Sequence, residues 1–256
     1  MPEVETRPDG RVLVITINRP EARNAVSPEV AQGLEGAVNE LESSDDLWVG
    51  ILTSSDERAF SAGADLKVVS QGRFQDMFTA DGGFAGIVKR ERSKPLIAAV
   101  NGDALAGGFE IALSCDLIVA AEHARFGLPE VRRSLVAAAG GLFRLPARVP
   151  ENVAMEMILT GLPISAKRAY ELGLVNRVVP TENVMDAAFE LAGAIAEAAP
   201  LAVRESRQVV IDSLRHMEEA GWDHSSRAMA RVSSSEDFME GPRAFIEKRP
   251  PEWKAR

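Results

Sequence analysis

The sequence predicts an α/β protein with a helical C-terminal part. Three observations carry this. Apolar runs of strand character alternate with helical segments up to about residue 180. After Asn183 only helical patterns follow. Hydrophobic residues make up 46% of the 256, enough for a sizeable core. This length suits one large domain, or a core with a small appendage.

Arg11–Asn18 alternates and is rich in β-branched residues, so it reads as a strand that Pro20 stops. Ser27-Pro28-Glu29 is a helix start: a capping Ser, Pro at the first helical position, an acid in the first turn. That helix runs to about Ser43. Val49–Thr53 is the next strand. Residues 68–92 read as irregular helix, interrupted at Gly72 and Asp81-Gly82-Gly83. Leu96–Val100 is a strand, followed by a helix over Gly107–Ser114 and a strand over Leu117–Ala121. Gly140–Leu145, Asn152–Thr160 and Ser165–Leu172 read as short helices, with Ser165 as a cap. Val175–Val179 reads as a strand. The helices after Asn183 are expected to break near Pro200, Gly221 and Gly241. No fixed-period sequence repeat is visible.

The formal charge is −9 and the pI about 5.0. This argues against nucleic acid or an anionic membrane as the partner. One cysteine, Cys115, excludes an intrachain disulfide and fits a reducing compartment. Its apolar run, Ile111–Ala121, makes it a buried small hydrophobe, and the run is too short to span a bilayer. The N-terminus shows no signal-peptide pattern, so a cytoplasmic location is expected.

The histidines are His123, His216 and His224. Without a His pair at metal spacing, no zinc site is expected. No Gly-x-Ser-x-Gly elbow or phosphate-binding Gly-x-x-x-x-Gly-Lys-Ser/Thr loop is present. Proton transfer therefore falls to carboxylates. Glu110 and Glu130 lie in apolar neighbourhoods, where a carboxylate is costly unless paired or functional. From spacing alone, each also fits a solvated face or a helix cap.

Two small-residue junctions stand where a strand gives way to a helix: Phe60-Ser61-Ala62-Gly63-Ala64-Asp65-Leu66-Lys67 and Asn101-Gly102-Asp103-Ala104-Leu105-Ala106-Gly107-Gly108-Phe109-Glu110. Such junctions expose backbone N–H groups. Two of them aimed at one oxygen would form an oxyanion hole. Each glycine alone also fits ordinary turn geometry, and Asp65 also fits a helix cap.

These residues resemble the crotonase superfamily, the enoyl-CoA hydratase/isomerase family. The resemblance extends to Asn18-Arg19-Pro20-Glu21-Ala22-Arg23-Asn24-Ala25, to Phe126-Gly127-Leu128-Pro129-Glu130 and to Gly241-Pro242-Arg243-Ala244-Phe245-Ile246-Glu247-Lys248-Arg249. It implies a spiral of repeated β-β-α units over residues 1–195 and a helical trimerisation region over 196–256. It implies a homotrimer or homohexamer acting on an acyl-CoA thioester, with no separate cofactor because coenzyme A enters with the substrate. The backbone N–H groups of Ala64 and Gly107 are then the oxyanion donors. Glu130 exchanges a proton with the α-carbon, and Glu110 activates water. Arg23, Ala25, Ala62, Asp65, Leu66, Lys67, Phe245 and Lys248 are the implied CoA contacts. Arg23, Lys67 and Lys248 supply the cations an anionic ligand needs within an acidic chain.

One segment departs from the pattern familiar in hydratases. Ser134 and Ala137-Ala138 replace a Gly and a Pro-Gly in the run Ser134-Leu135-Val136-Ala137-Ala138-Ala139-Gly140-Gly141. The Ala138 N–H is expected to remain able to bind water, in a pocket whose shape the added methyls alter. The first expectation is an enoyl-CoA hydratase. The tail Ser235-Glu236-Asp237 to Pro251-Glu252-Trp253-Lys254 resembles the carnitinyl-CoA dehydratase branch, which is the nearest alternative. A Δ3-Δ2-enoyl-CoA isomerase and a non-catalytic CoA-binding protein are the others.

Overall fold

The computed structural model describes residues 2–252, except the side chains of 215–217 and 245. Two sheets organise the core. The larger has six strands, in the spatial order Val4–Asp9, Val12–Ile17, Val49–Ser54, Leu96–Val100, Leu117–Ala121 and Arg177–Val179. All neighbours are parallel except the first pair. Every residue of Val49–Ser54 and of Leu96–Val100 is buried, as expected of central parallel strands covered on both faces.

The smaller sheet has four short strands, in the order Ile164–Ser165, Arg125–Gly127, Asp103–Leu105 and Ala59–Ser61. The last three are mutually parallel. Each follows a strand of the larger sheet. Val49–Ser54, Ala59–Ser61 and the helix Leu66–Ser70 make one turn. Leu96–Val100, Asp103–Leu105 and the helix Gly107–Ser114 make the next. Leu117–Ala121, Arg125–Gly127 and the 3₁₀ turn Pro129–Arg133 make a third. The β-β-α repeat implied by the crotonase resemblance is present.

Local chemistry fixes the helix starts. Ser27 Oγ accepts from the Val30 N–H at 3.0 Å and opens the helix Pro28–Ser43. Ser165 Oγ accepts from the Arg168 N–H at 3.2 Å. At the far end of Pro28–Ser43, the buried Lys94 ammonium donates to the carbonyls of Leu41 and Ser44, both at 2.6 Å. A cation there complements the helix dipole.

The region 68–92 departs from the irregular helix expected. A helix covers only Leu66–Ser70, a 3₁₀ turn spans Phe74–Met77, and Phe78–Thr79 pairs with Gly83–Phe84 as a tight hairpin. Gly83, Ala85 and Gly86 have φ near +65°, +56° and +69°, which no helix accommodates. The C-terminal helices depart in the opposite sense. The helix Pro200–Ser233 continues through Gly221, and Asp237–Glu247 continues through Gly241 and Pro242. A β-carbon at Gly221 would overlap the Phe143 ring, and one at Gly241 would overlap the Arg133 backbone. These glycines permit close packing and do not break their helices.

The helix Pro200–Ser233 is tied to the core by charge. Asp116 holds both Arg92 and Arg207 at 3.0 Å. Those guanidinium groups keep its carboxyl below the usual carboxylate range despite burial. Among the described residues no helix is long and apolar enough to cross a membrane.

Candidate active site

Three neighbouring parallel strands of the small sheet deliver the candidate machinery. Ala59–Ser61 leads into Ala62-Gly63-Ala64. Asp103–Leu105 leads into Ala106-Gly107 and, one helical turn on, Glu110. Arg125–Gly127 leads into Leu128-Pro129-Glu130. Strand pairing at the small sheet therefore brings together residues far apart in sequence. Open α/β sheets commonly place ligand sites at such strand ends.

The first two loops touch through glycine. Gly63 has φ +82°, and a β-carbon there would lie 2.7 Å from the Gly107 nitrogen. Gly108 packs so closely on the Ser61 backbone that no side chain fits. Between them Ala106 holds φ +53° and ψ −132°, a costly conformation for a residue with a side chain. It is fixed from both sides. Its N–H donates to the Gly127 carbonyl at 2.9 Å, and its own carbonyl accepts from the N–H groups of Phe109 and Glu110. Among the described residues, no protein acceptor takes the N–H of Ala64 or of Gly107. The structure thus leaves two adjacent donors unused, as an oxyanion hole requires.

Glu110 and Glu130 are both buried. They differ in their partners. Glu110 Oε1 accepts from the Gly141 N–H at 2.9 Å, and the nearby Ala139 backbone also favours its charged form. Burial still pushes its pKa up to about 7. Glu130 Oε2 is buried with no hydrogen-bond partner among the described residues. Burial, and then negative charge on Glu110, raise its pKa well above the usual carboxylate value. Glu110 is the better home for negative charge, and Glu130 is the better home for a proton. An acid and a base sharing one cavity suit proton transfer to and from adjacent carbons.

Both face a cavity of about 1180 Å³. Ala64 and Gly107 line it too, as do Arg23, Ala25, Ala62, Asp65, Leu66 and Lys67. The Asp65 carboxylate is otherwise engaged: it accepts from the Lys67 N–H at 2.9 Å and pairs with Arg19 at 3.0 Å. It caps the helix Leu66–Ser70, the second of the roles its position allowed. Lys248 is exposed, with φ +54°, and is not part of the cavity wall of the single chain. The Phe245 side chain and the tail residues Trp253 and Lys254 lie outside the described residues.

The Ala138 N–H does not match expectation. It donates to the Val136 carbonyl at 2.8 Å in a tight turn, so it is not available to water. Sequence reasoning also missed much of the cavity wall. Phe84 packs against the oxyanion loop, where a Gly107 β-carbon would lie 2.5 Å from its ring. Lys89, Trp222 and Met229 line the far side. The only sequence signal for Trp222 and Met229 was the helical spacing of Trp222, Ser226, Met229 and Ser233, which is common to any amphipathic helix, and Lys89 had none.

The comparisons agree with this geometry. Residues 7–256 match the family model described as enoyl-CoA hydratase/isomerase. A carnitinyl-CoA dehydratase from Salmonella paratyphi A is 40% identical over 253 residues, spanning 97% of each chain. Among solved structures, a carnitinyl-CoA hydratase from Mycobacterium avium is 44% identical with a TM-score of 0.95, covering all of both chains. An enoyl-CoA hydratase from Mycobacterium tuberculosis H37Rv is 43% identical with a TM-score of 0.80, again over all of both chains. The β-β-α spiral, the paired loops and these matches lead to one conclusion: the chain belongs to the enoyl-CoA hydratase/isomerase family, the crotonase enzymes.

Proposed function

We propose that the chain is a hydro-lyase of acyl-CoA thioesters that reversibly removes water from a 3-hydroxyacyl-CoA, in the manner of the carnitinyl-CoA dehydratases it resembles. Hydration of the enoyl-CoA is the same step in reverse. The names of the similar proteins favour the dehydratase branch over a general hydratase. One observation carries the reading: two buried carboxylates of opposite hydrogen-bonding character, Glu110 and Glu130, share one cavity with two unused N–H donors.

The thioester oxygen sits at the Ala64 and Gly107 N–H groups. In the dehydration direction the Glu130 carboxylate takes the α-proton, and charge moves onto that oxygen as an enolate. Protonated Glu110 then gives its proton to the departing β-hydroxyl. In the hydration direction Glu110 takes a proton from water as it adds to the β-carbon, and Glu130 protonates the α-carbon. The raised pKa of Glu130 and the Gly141 N–H donated to Glu110 suit the hydration direction, in which Glu130 gives a proton and Glu110 takes one. With the Ala138 N–H spent on Val136, the water depends on the two carboxylates.

Arg23 and Lys67 are assigned to the CoA phosphates. Assembly as a trimer or a dimer of trimers belongs to the same reading. It is supported by the exposed Leu201, Val209, Val210 and Leu214 of the helix Pro200–Ser233. The deciding experiment incubates purified protein with 3-hydroxyacyl-CoA and enoyl-CoA thioesters and follows loss or gain of water by mass spectrometry. Double-bond migration without water exchange would replace this reading with an isomerase, and no turnover would leave a CoA-binding protein.

A further inference from the structure

Resting on the hydro-lyase reading, we propose that the acyl group accepted here ends in a carboxylate, and not in the trimethylammonium that terminates a carnitinyl group. The carrying observation is a cation already seated on the aromatic wall. The Lys89 ammonium lies 4.5 Å from the Trp222 ring centroid. The Arg144 guanidinium lies 5.4 Å from the same ring. Lys89 and Trp222 both line the cavity.

Their place in the fold puts them at the acyl end. The thioester oxygen belongs at Ala64 and Gly107, and the CoA leads away toward the loops that hold Arg23 and Lys67. The acyl chain continues past Glu110. The Gly141 N–H that binds Glu110 opens the short helix Gly141–Arg144. Phe143 of that helix packs edge-on against Trp222, with ring centroids 4.9 Å apart. On the other side, the Lys89 stem lies along Gly83, whose β-carbon would sit 3.0 Å from it. The next residue, Phe84, backs the oxyanion loop. Lys89 and Trp222 therefore bracket the space beyond the reacting carbons.

An aromatic face is the surface that favours a quaternary ammonium. Here the chain's own ammonium occupies it, so an incoming trimethylammonium meets a like charge. Glu218 pairs with Arg144 at 2.9 Å and offsets that guanidinium. Among the described residues no carboxylate pairs with Lys89, although it is exposed. A terminal carboxylate on the acyl chain supplies the missing partner, and the ammonium can then donate to it while remaining on the ring.

The test uses three 2-enoyl-CoA thioesters of equal chain length, ending in methyl, carboxylate or trimethylammonium, with kcat/KM for water addition as the readout. The wild type should favour the carboxylate over the trimethylammonium compound by about tenfold or more, equivalent to about 1.4 kcal/mol. Lys89→Glu should lower the carboxylate-to-methyl ratio and raise the trimethylammonium-to-methyl ratio. Lys89→Arg should keep the wild-type order. Equal or better use of the trimethylammonium compound, or ratios indifferent to Lys89→Glu, overturns the proposal. If none of the three takes up water, it is the hydro-lyase reading that fails. The charge preference is then decided by calorimetric binding of the corresponding saturated thioesters, where the carboxylate order supports it and the reverse order overturns it.

Discussion

Gly63 and Gly107 meet so closely that a β-carbon on the first would stand 2.7 Å from the backbone nitrogen of the second. The spacing of the two proposed oxyanion donors, the N–H groups of Ala64 and Gly107, is thus set by the absence of a side chain. Gly63→Ala meets both this contact and a φ of +82°. It is expected to lower kcat by about 10²- to 10³-fold, the cost of losing one such donor. Steady-state kinetics beside a thermal melt check this. A normal kcat in a folded variant would remove the Ala64 and Gly107 pair from the mechanism.

Glu130→Gln should abolish most turnover, with a kcat loss of about 10²- to 10⁴-fold, while CoA-ester binding survives. The amide keeps the shape and loses the proton. Glu110→Gln should also slow water addition strongly. A mild effect there, with double-bond migration intact, would point to the single-carboxylate isomerase. Calorimetric binding beside kcat separates the two roles.

The carboxyl pair makes stability depend on pH in a stated direction. Glu110 has its pKa raised from 4.5 to about 7 in the folded chain. The folded state therefore holds a proton that the unfolded chain releases, and stability falls as pH rises from about 4.5 through about 7. The shift corresponds to about 3 kcal/mol. Thermal melts between about pH 5 and about pH 8 should show a larger loss for the wild type than for the Glu110→Gln, Glu130→Gln double variant. Parallel curves would show that the pair is not strained by ionisation.

Arg23 has no protein carboxylate paired with it among the described residues, and it lines the cavity at the end assigned to the nucleotide. Arg23→Ala should raise KM for a CoA thioester and change kcat little, since the contact is remote from the reacting carbon. A pantetheine thioester, which lacks the nucleotide phosphates, should be much less affected. Equal losses on both would make Arg23 a structural residue of its loop.

The large-sheet strands from Val12–Ile17 onward and the helix Gly107–Ser114 were legible because each is a run long enough to show its pattern; the edge strand Val4–Asp9 was missed because it is almost wholly exposed and carries no apolar alternation. The small sheet was not. Its strands, such as Asp103–Leu105, have three residues or fewer, and their pairing is decided by partners far along the chain. Phe74 and Phe78, four apart, imitate a helical stripe, yet they stack edge-on at 5.1 Å across a turn. Gly221 read as a break because a glycine needed for close packing looks the same in sequence as one needed for a bend. The candidate site residues of the core stood out in the sequence as motifs. The wall supplied by Trp222 and Lys89 was not, because nothing in the sequence places one beside the other.

The helix Pro200–Ser233 is fastened to the core by Arg207 on Asp116 and by Glu218 on Arg144. Beyond the second fastening, Trp222, Ser226, Met229, Ala230 and Ser233 form one side of the cavity. None of these five belongs to the strands or loops that carry the proposed oxyanion donors and the two glutamates. On the proposed reading, one wall of the acyl space thus comes from a stretch of chain separate from the loops assigned to the reaction, with Lys89 opposite it. On that same reading, substitutions along this stretch of helix would reshape the acyl space and leave the residues assigned to the chemistry unchanged.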